Sequence, residues 1–132
     1  MMQQNNYLLS DAQRFSREAQ QHLASEVADL LSRRDETHLS WQGSTFDLME
    51  ALHVAYLTAM ITDREGNPLP FSRIVRRVCS QLSLPVPRNP YDYARRGTMR
   101  KGIVRLNYFD RYCRQLKQGV ANPFTQNYLK AL

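Results

Sequence analysis

Glycine and cysteine are both scarce in this chain, five and two residues in 132. It holds no glycine-rich phosphate loop, nucleophile elbow or zinc signature. Cys79 and Cys113 stand apart, with no CxxC pair and no histidine at ligand spacing. Two thiols at helical core spacing fit a reduced, cytoplasmic protein better than a disulfide scaffold. Long apolar runs are missing too, and nothing approaches the roughly 20 residues of a membrane span. The start, "MMQQNNYLLSD", lacks the basic-then-apolar order of a secretory signal. What remains is an ordinary globular composition, 42% hydrophobic and 23% charged, in a chain long enough for one buried core.

Acid is missing from one half. Residues 1–65 carry ten acidic and five basic side chains, whereas 66–132 carry thirteen basic ones against Asp92 and Asp110 alone. Such asymmetry suits a chain that offers one end to a polyanion. Arginine outnumbers lysine fifteen to three. Its planar fork grips phosphate or a guanine edge through two hydrogen bonds, which favours nucleic acid over mere solubility.

The periodicity is helical nearly throughout. Ser10 and Gln13 form a capping box before Phe15, Ala19, Leu23, Val27, Leu30 and Leu31, predicting an amphipathic helix over about 11–35. "DETHLSWQG" reads as a loop, and Ser44 caps a second helix to about Met60. Apolar residues nearly encircle that helix, so it should form the buried centre. Gly66, Asn67, Pro68 and Pro70 then force turns, leaving room for a short hairpin at about 60–70. A two-sided helix over about 71–82 turns Phe71, Ile74, Val75, Val78, Cys79 and Leu82 inward and Arg73, Arg76, Arg77 and Ser80 outward. The prolines of "SLPVPRNP" stop it.

"NPYDYARRGTMRKG" opens and closes like a helix, with Asn89 as N-cap, Pro90 in the first turn and Gly102 as stop. Projection at 100° per residue turns Tyr91, Ala94 and Thr98 inward and Asp92, Tyr93, Arg96, Gly97 and Arg100 outward. Gly97 costs a helix interior roughly 1 kcal/mol against alanine, a cost that close approach to a partner or to a neighbouring helix would offset. A fifth helix over about 105–117 buries Phe109, Tyr112, Cys113 and Leu116 and exposes Arg111, Arg114 and Lys117. The tail "ANPFTQNYLKAL" has enough apolar area to dock.

Helices 71–82 and 90–101 with their turn form a helix-turn-helix arrangement, the second helix suited to a major groove. Asp92, Tyr93, Arg96 and Arg100 are the candidates for reading base edges. Arg73, Arg76, Arg77, Arg88, Arg95, Lys101, Arg105 and Arg114 are the candidates for phosphate contacts. A solvated face is the bland alternative, but such faces normally mix signs, and here carboxylates are nearly absent. His22, His38 and His53 show no metal spacing, and His53 reads as a core histidine. Asp47 and Glu50 share a helix start, where carboxylates commonly serve the dipole. No catalytic residue, metal ligand or cofactor site is assigned, and the chain is read as a non-enzyme.

"LSWQGSTFDLMEALHVAYLTAMI" resembles a segment of RteC-type regulatory proteins of conjugative transposons, with Trp41, Gly43, Ser44, Leu48, Glu50 and Leu52 in a similar frame. "NPYDYARRGTMRKGIVRLNYFDRYCRQL" is similar to that family's tyrosine-containing helix, Arg-Lys cluster and closing helix, through Tyr91, Arg100, Lys101, Arg105, Tyr108, Phe109, Asp110 and Leu116. The resemblance, over about 39–117, implies a winged-helix-like DNA-binding region in a regulator of excision and transfer genes.

The expected fold is thus mainly α: one compact helical domain over 1–132, with a helix-turn-helix or winged-helix-like core at 39–117. An N-terminal amphipathic helix lies within 1–38 and a docking tail at 118–132. The expected partner is double-stranded DNA, with homodimerisation left open and no membrane or metal. The rival is a protein-interaction module that self-associates through its acidic and basic halves. RNA binding through Tyr91, Tyr93 and Tyr108 ranks lower, since Tyr91 projects inward and no aromatic platform is evident.

Overall fold

The computed structural model describes residues 10–33, 38–99 and 106–131. Six helices follow in order: α1 (Asp11–Ser32), α2 (Thr45–Leu57), α3 (Phe71–Gln81), α4 (Pro90–Thr98), α5 (Tyr108–Lys117) and α6 (Pro123–Tyr128). Strands β1 (Leu39–Trp41) and β2 (Leu129–Ala131) form one small antiparallel sheet, Leu39 opposite Ala131 and Trp41 opposite Leu129. The protein is therefore mainly helical.

Local chemistry starts each element. Ser10 caps α1 in a full capping box, and Ser44, Asn89 and Asn107 each accept a backbone N–H in the first turn of α2, α4 and α5. Helix α3 ends before the prolines. Leu84 N–H donates to Cys79 O at 2.8 Å and Ser83 N–H to Ser80 O at 3.2 Å, with Ser83 at φ 54°. That is a Schellman stop with serine where glycine usually sits. Helix α5 ends the same way at Gly119, φ 95°.

Helix α2 is the hub, packed against α1, α3, α4 and α5. Leu48, Met49, Ala51, Leu52 and Ala55 are buried there, as its nearly all-round apolar sequence requires. Around it gather Leu23, Val27 and Leu30 of α1 and Phe71, Ile74, Val75 and Val78 of α3.

Several expectations need correction. "LSW" is a strand, not loop, because the tail supplies its partner: β2 pairs with it and Tyr128 O accepts from Gln42 N–H at 2.8 Å. Trp41 then stacks on Tyr128 at 5.0 Å and tilts against Phe124 at 5.3 Å. The tail is thus part of the core. The hairpin expected at 60–70 reduces to one bridge, Thr62 with Pro68, closed by Leu69 N–H to Ile61 O at 2.8 Å. Asp63 stiffens the turn by accepting from the backbone N–H of Glu65 and Asn67. Prolines at 68 and 70 deprive a longer ladder of donors.

Three buried carboxylates hold the C-terminal elements. Glu50 of α2 accepts from the N–H of Tyr108 at 3.0 Å and Phe109 at 2.8 Å, the first groups of α5. Glu26 of α1 accepts from Thr125 N–H at 2.9 Å and from the Tyr112 hydroxyl at 2.6 Å, joining α1 to α5 and α6. Each carboxylate satisfies helix-start donors that no residue within the helix can reach, at the positive end of a dipole. Asp47 binds the Arg111 guanidinium at 2.6 Å. The fifth helix therefore does not expose Arg111 as expected. Its other nitrogens donate to Tyr128 Oη and Leu106 O, so it fastens α5 and the end of α6 to α2.

Candidate nucleic-acid interface

Helix α3 carries Arg73, Arg76, Arg77 and Ser80 at i, i+3, i+4 and i+7, all exposed, opposite a face of five buried apolar residues. The helix holds no carboxylate. The ion pairs among the described residues are Arg33–Asp29, Arg95–Asp92, Arg96–Asp92 and Arg111–Asp47. None engages α3. Among the described residues, three guanidinia without an ion pair therefore lie along a rod about 16 Å long.

Helix α4 differs from its expected face. Ala94 and Gly97 are buried and Tyr93 is half-buried, its ring 4.9 Å from that of Phe46. A Cβ built on Gly97 would meet Phe46 O at 2.9 Å and Glu50 Cβ at 3.2 Å. Gly97 thus serves close approach of α4 to α2, not an outside partner. Tyr93 and Gly97 turn inward, Thr98 is exposed, and Tyr91 is 53% exposed. The helix keeps its period, but its contact face is rotated toward Tyr93 and Gly97. A search for apolar side chains gives no weight to a glycine, which here lies at the tightest point of the interface.

The cations of α4 are not unpaired. Asp92 binds Arg95 at 2.9 Å through one oxygen and Arg96 at 3.1 Å through the other. Both guanidinia remain 63% exposed, so these pairs are weak, a few tenths of a kcal/mol each at helix spacing. Asp92 orients the two arginines without locking them.

An aromatic cluster fixes α3 against α4. Phe71 lies 4.7 Å from Tyr91, and the His53 ring of α2 lies 5.2 Å from Phe71 and 5.7 Å from Tyr91. Burial pushes His53 below its ordinary value, so at neutral pH it packs as an uncharged ring. Asn107 ties the far end of α4, donating to Thr98 O at 3.0 Å while capping α5.

Arg88 is exposed in the proline-rich connection between α3 and α4. Arg114 is exposed on α5, whose main neighbours are α1, α2, α4 and α6. Arg100, Lys101 and Arg105, with the stop at Gly102, lie outside the described residues. The structure thus brings Arg73, Arg76, Arg77, Arg95 and Arg96 onto two helices joined at their N-terminal ends, and removes Tyr93. Sequence reasoning missed Glu26, whose place between Leu23 and Val27 on an apolar stripe was the available signal. His22, never a ligand candidate, bonds Ala121 O at 2.7 Å and helps seat the tail. Among the described residues no helix is long and apolar enough to cross a membrane, and no cluster of three or more His, Cys, Asp or Glu could hold a metal. No protein-family model, curated protein or solved structure matches the chain.

Proposed function

We propose that this chain is a cytoplasmic, DNA-binding transcriptional regulator that anchors α3 on duplex phosphates and presents α4 to base edges. The observation that carries this reading is the stripe Arg73, Arg76 and Arg77, which makes no ion pair among the described residues, on a helix without carboxylates. An exposed face left so one-sided costs self-repulsion that a polyanion relieves. Arg96 and Arg100 remain the guanine-reading candidates, and Asp92 can accept from a cytosine amine once its weak pairs open. Tyr93 leaves that set, because its ring is engaged with Phe46. The resemblance to RteC-type proteins adds a winged-helix-like reading of 39–117 and a class of target, the excision and transfer genes of a mobile element.

Self-association of acidic and basic halves is less well supported. Glu26, Asp47 and Glu50, three of the ten carboxylates in the acidic half, are buried and bonded within the chain. The acidic surface left for a second copy is correspondingly thinner.

The test is a salt titration of binding to a labelled random duplex, with single-stranded RNA as competitor. About five phosphate contacts predict a slope of log K against log salt near −4 to −5. Salt-independent binding, or displacement by RNA at equal nucleotide concentration, would count against the proposal.

A further inference from the structure

A cavity of about 530 Å3 opens between the C-terminal part of α1, the 58–70 turn and α3. Its size lies within the range of small-molecule sites. Ala28, Leu31, Met60, Ile61 and Leu69 make an apolar lining, and Leu31, Ile61 and Leu69 are themselves buried. Arg64 and Arg77 also line it. Neither makes an ion pair among the described residues, and both are exposed, free to reach an occupant. Asp63 is the single carboxylate of the lining among the described residues, and its Oδ1 is engaged by the backbone N–H of Glu65 and Asn67. Among the described residues, that lining is positive by one charge. Ala59, in the left-handed region at φ 58°, turns the chain so that Met60 comes to border the cavity.

We propose that this cavity binds a small amphipathic monoanion, its apolar body against Leu31, Ile61 and Leu69 and its carboxylate or sulfonate between Arg64 and Arg77. Two guanidinia can grip one such head bidentately. A dianion is less suitable, because Asp63 opposes the second charge. A neutral apolar molecule would leave both cations unused. Arg77 also belongs to the stripe assigned to DNA, so an occupied cavity draws one cation away from α3's outer face. That consequence rests on the DNA reading, whereas the binding itself does not.

The experiment uses the whole chain and 8-anilinonaphthalene-1-sulfonate, whose fluorescence reports an apolar site occupied by an anion. The expected result is saturable binding with one site per chain. Arg64→Gln with Arg77→Gln should raise the apparent Kd at least tenfold, with circular dichroism unchanged because both side chains are exposed. Octanoate should displace the probe, and 1-octanol at equal concentration should not. Absence of saturable binding, a double variant that binds as tightly as wild type, or equal displacement by 1-octanol would each overturn the site. None of these readouts involves DNA, so failure here and failure of the DNA reading are separate results.

Discussion

Gly97 of α4 sits against Glu50 of α2 so closely that a Cβ on the glycine would lie 3.2 Å from the carboxylate oxygen. The same carboxylate receives the first N–H groups of α5. One contact therefore sets α4, the proposed reading helix, against both the hub and the helix that follows it. Gly97→Ala gains roughly 1 kcal/mol of helix propensity, yet it must push Phe46 O or Glu50 aside, and overpacking costs about 1–3 kcal/mol. Net destabilisation is expected in urea unfolding, and a variant more stable than wild type would contradict the packing.

Glu50 supplies a pH signature. Burial, its largest influence, raises its carboxyl above the ordinary value, against the opposing pull of the Phe109 and Tyr108 N–H groups. The folded value exceeds the unfolded one, so its contribution to stability is complete at low pH and is lost as pH rises through the raised value. Glu50→Gln has nothing to ionise. The stability of wild type relative to the variant should be greatest near pH 4 and shrink toward neutrality, read as urea midpoints across the series. A gap that widens with pH would invert the account.

Ser83 and Ala59 both hold left-handed backbone, at φ 54° and φ 58°. L-residues pay roughly 1 kcal/mol or more there, and glycine does not. Ser83→Gly should stabilise by about 0.5–1 kcal/mol, since it would complete the same stop that Gly119 makes for α5. A drop in thermal midpoint would show that the serine does more than cap.

Asp92 restrains Arg95 and Arg96. Its replacement by alanine removes one negative charge and frees both guanidinia, so affinity for random duplex should rise and the salt slope steepen by about one. Discrimination between sequences should fall, because the arginines lose their orienting partner. Unchanged affinity in an anisotropy titration would mean that α4 does not meet DNA.

The helices were legible because their caps and apolar stripes are local signals. Ser10, Ser44 and Asn89 announced three starts, and α3 followed its two-sided pattern residue by residue. What escaped depends on distant partners. β1 is three residues long and has meaning only beside β2, 90 residues on. Arg111 looked like another exposed cation until Asp47, 64 positions away, claimed it. The arginines of α3 were readable because an amphipathic helix declares its outer face. On α4 the outward Arg95 and Arg96 were readable too, but their pairing with Asp92 and the inward turn of Tyr93 and Gly97 were not, because a glycine gives no apolar signal for the contact face.

Of the proposals above, the phosphate grip of α3 is the one on which the rest depend. Its most direct test is fluorescence anisotropy of a labelled random duplex, at low and near-physiological salt, for wild type and an Arg73→Ala, Arg76→Ala, Arg77→Ala variant. All three side chains are exposed, so the variant should fold, with an unchanged thermal midpoint. The account predicts steeply salt-dependent binding by wild type, and a variant weaker on every sequence with a slope shallower by nearly three. Equal binding by the two proteins, or none by either at low salt, would contradict it.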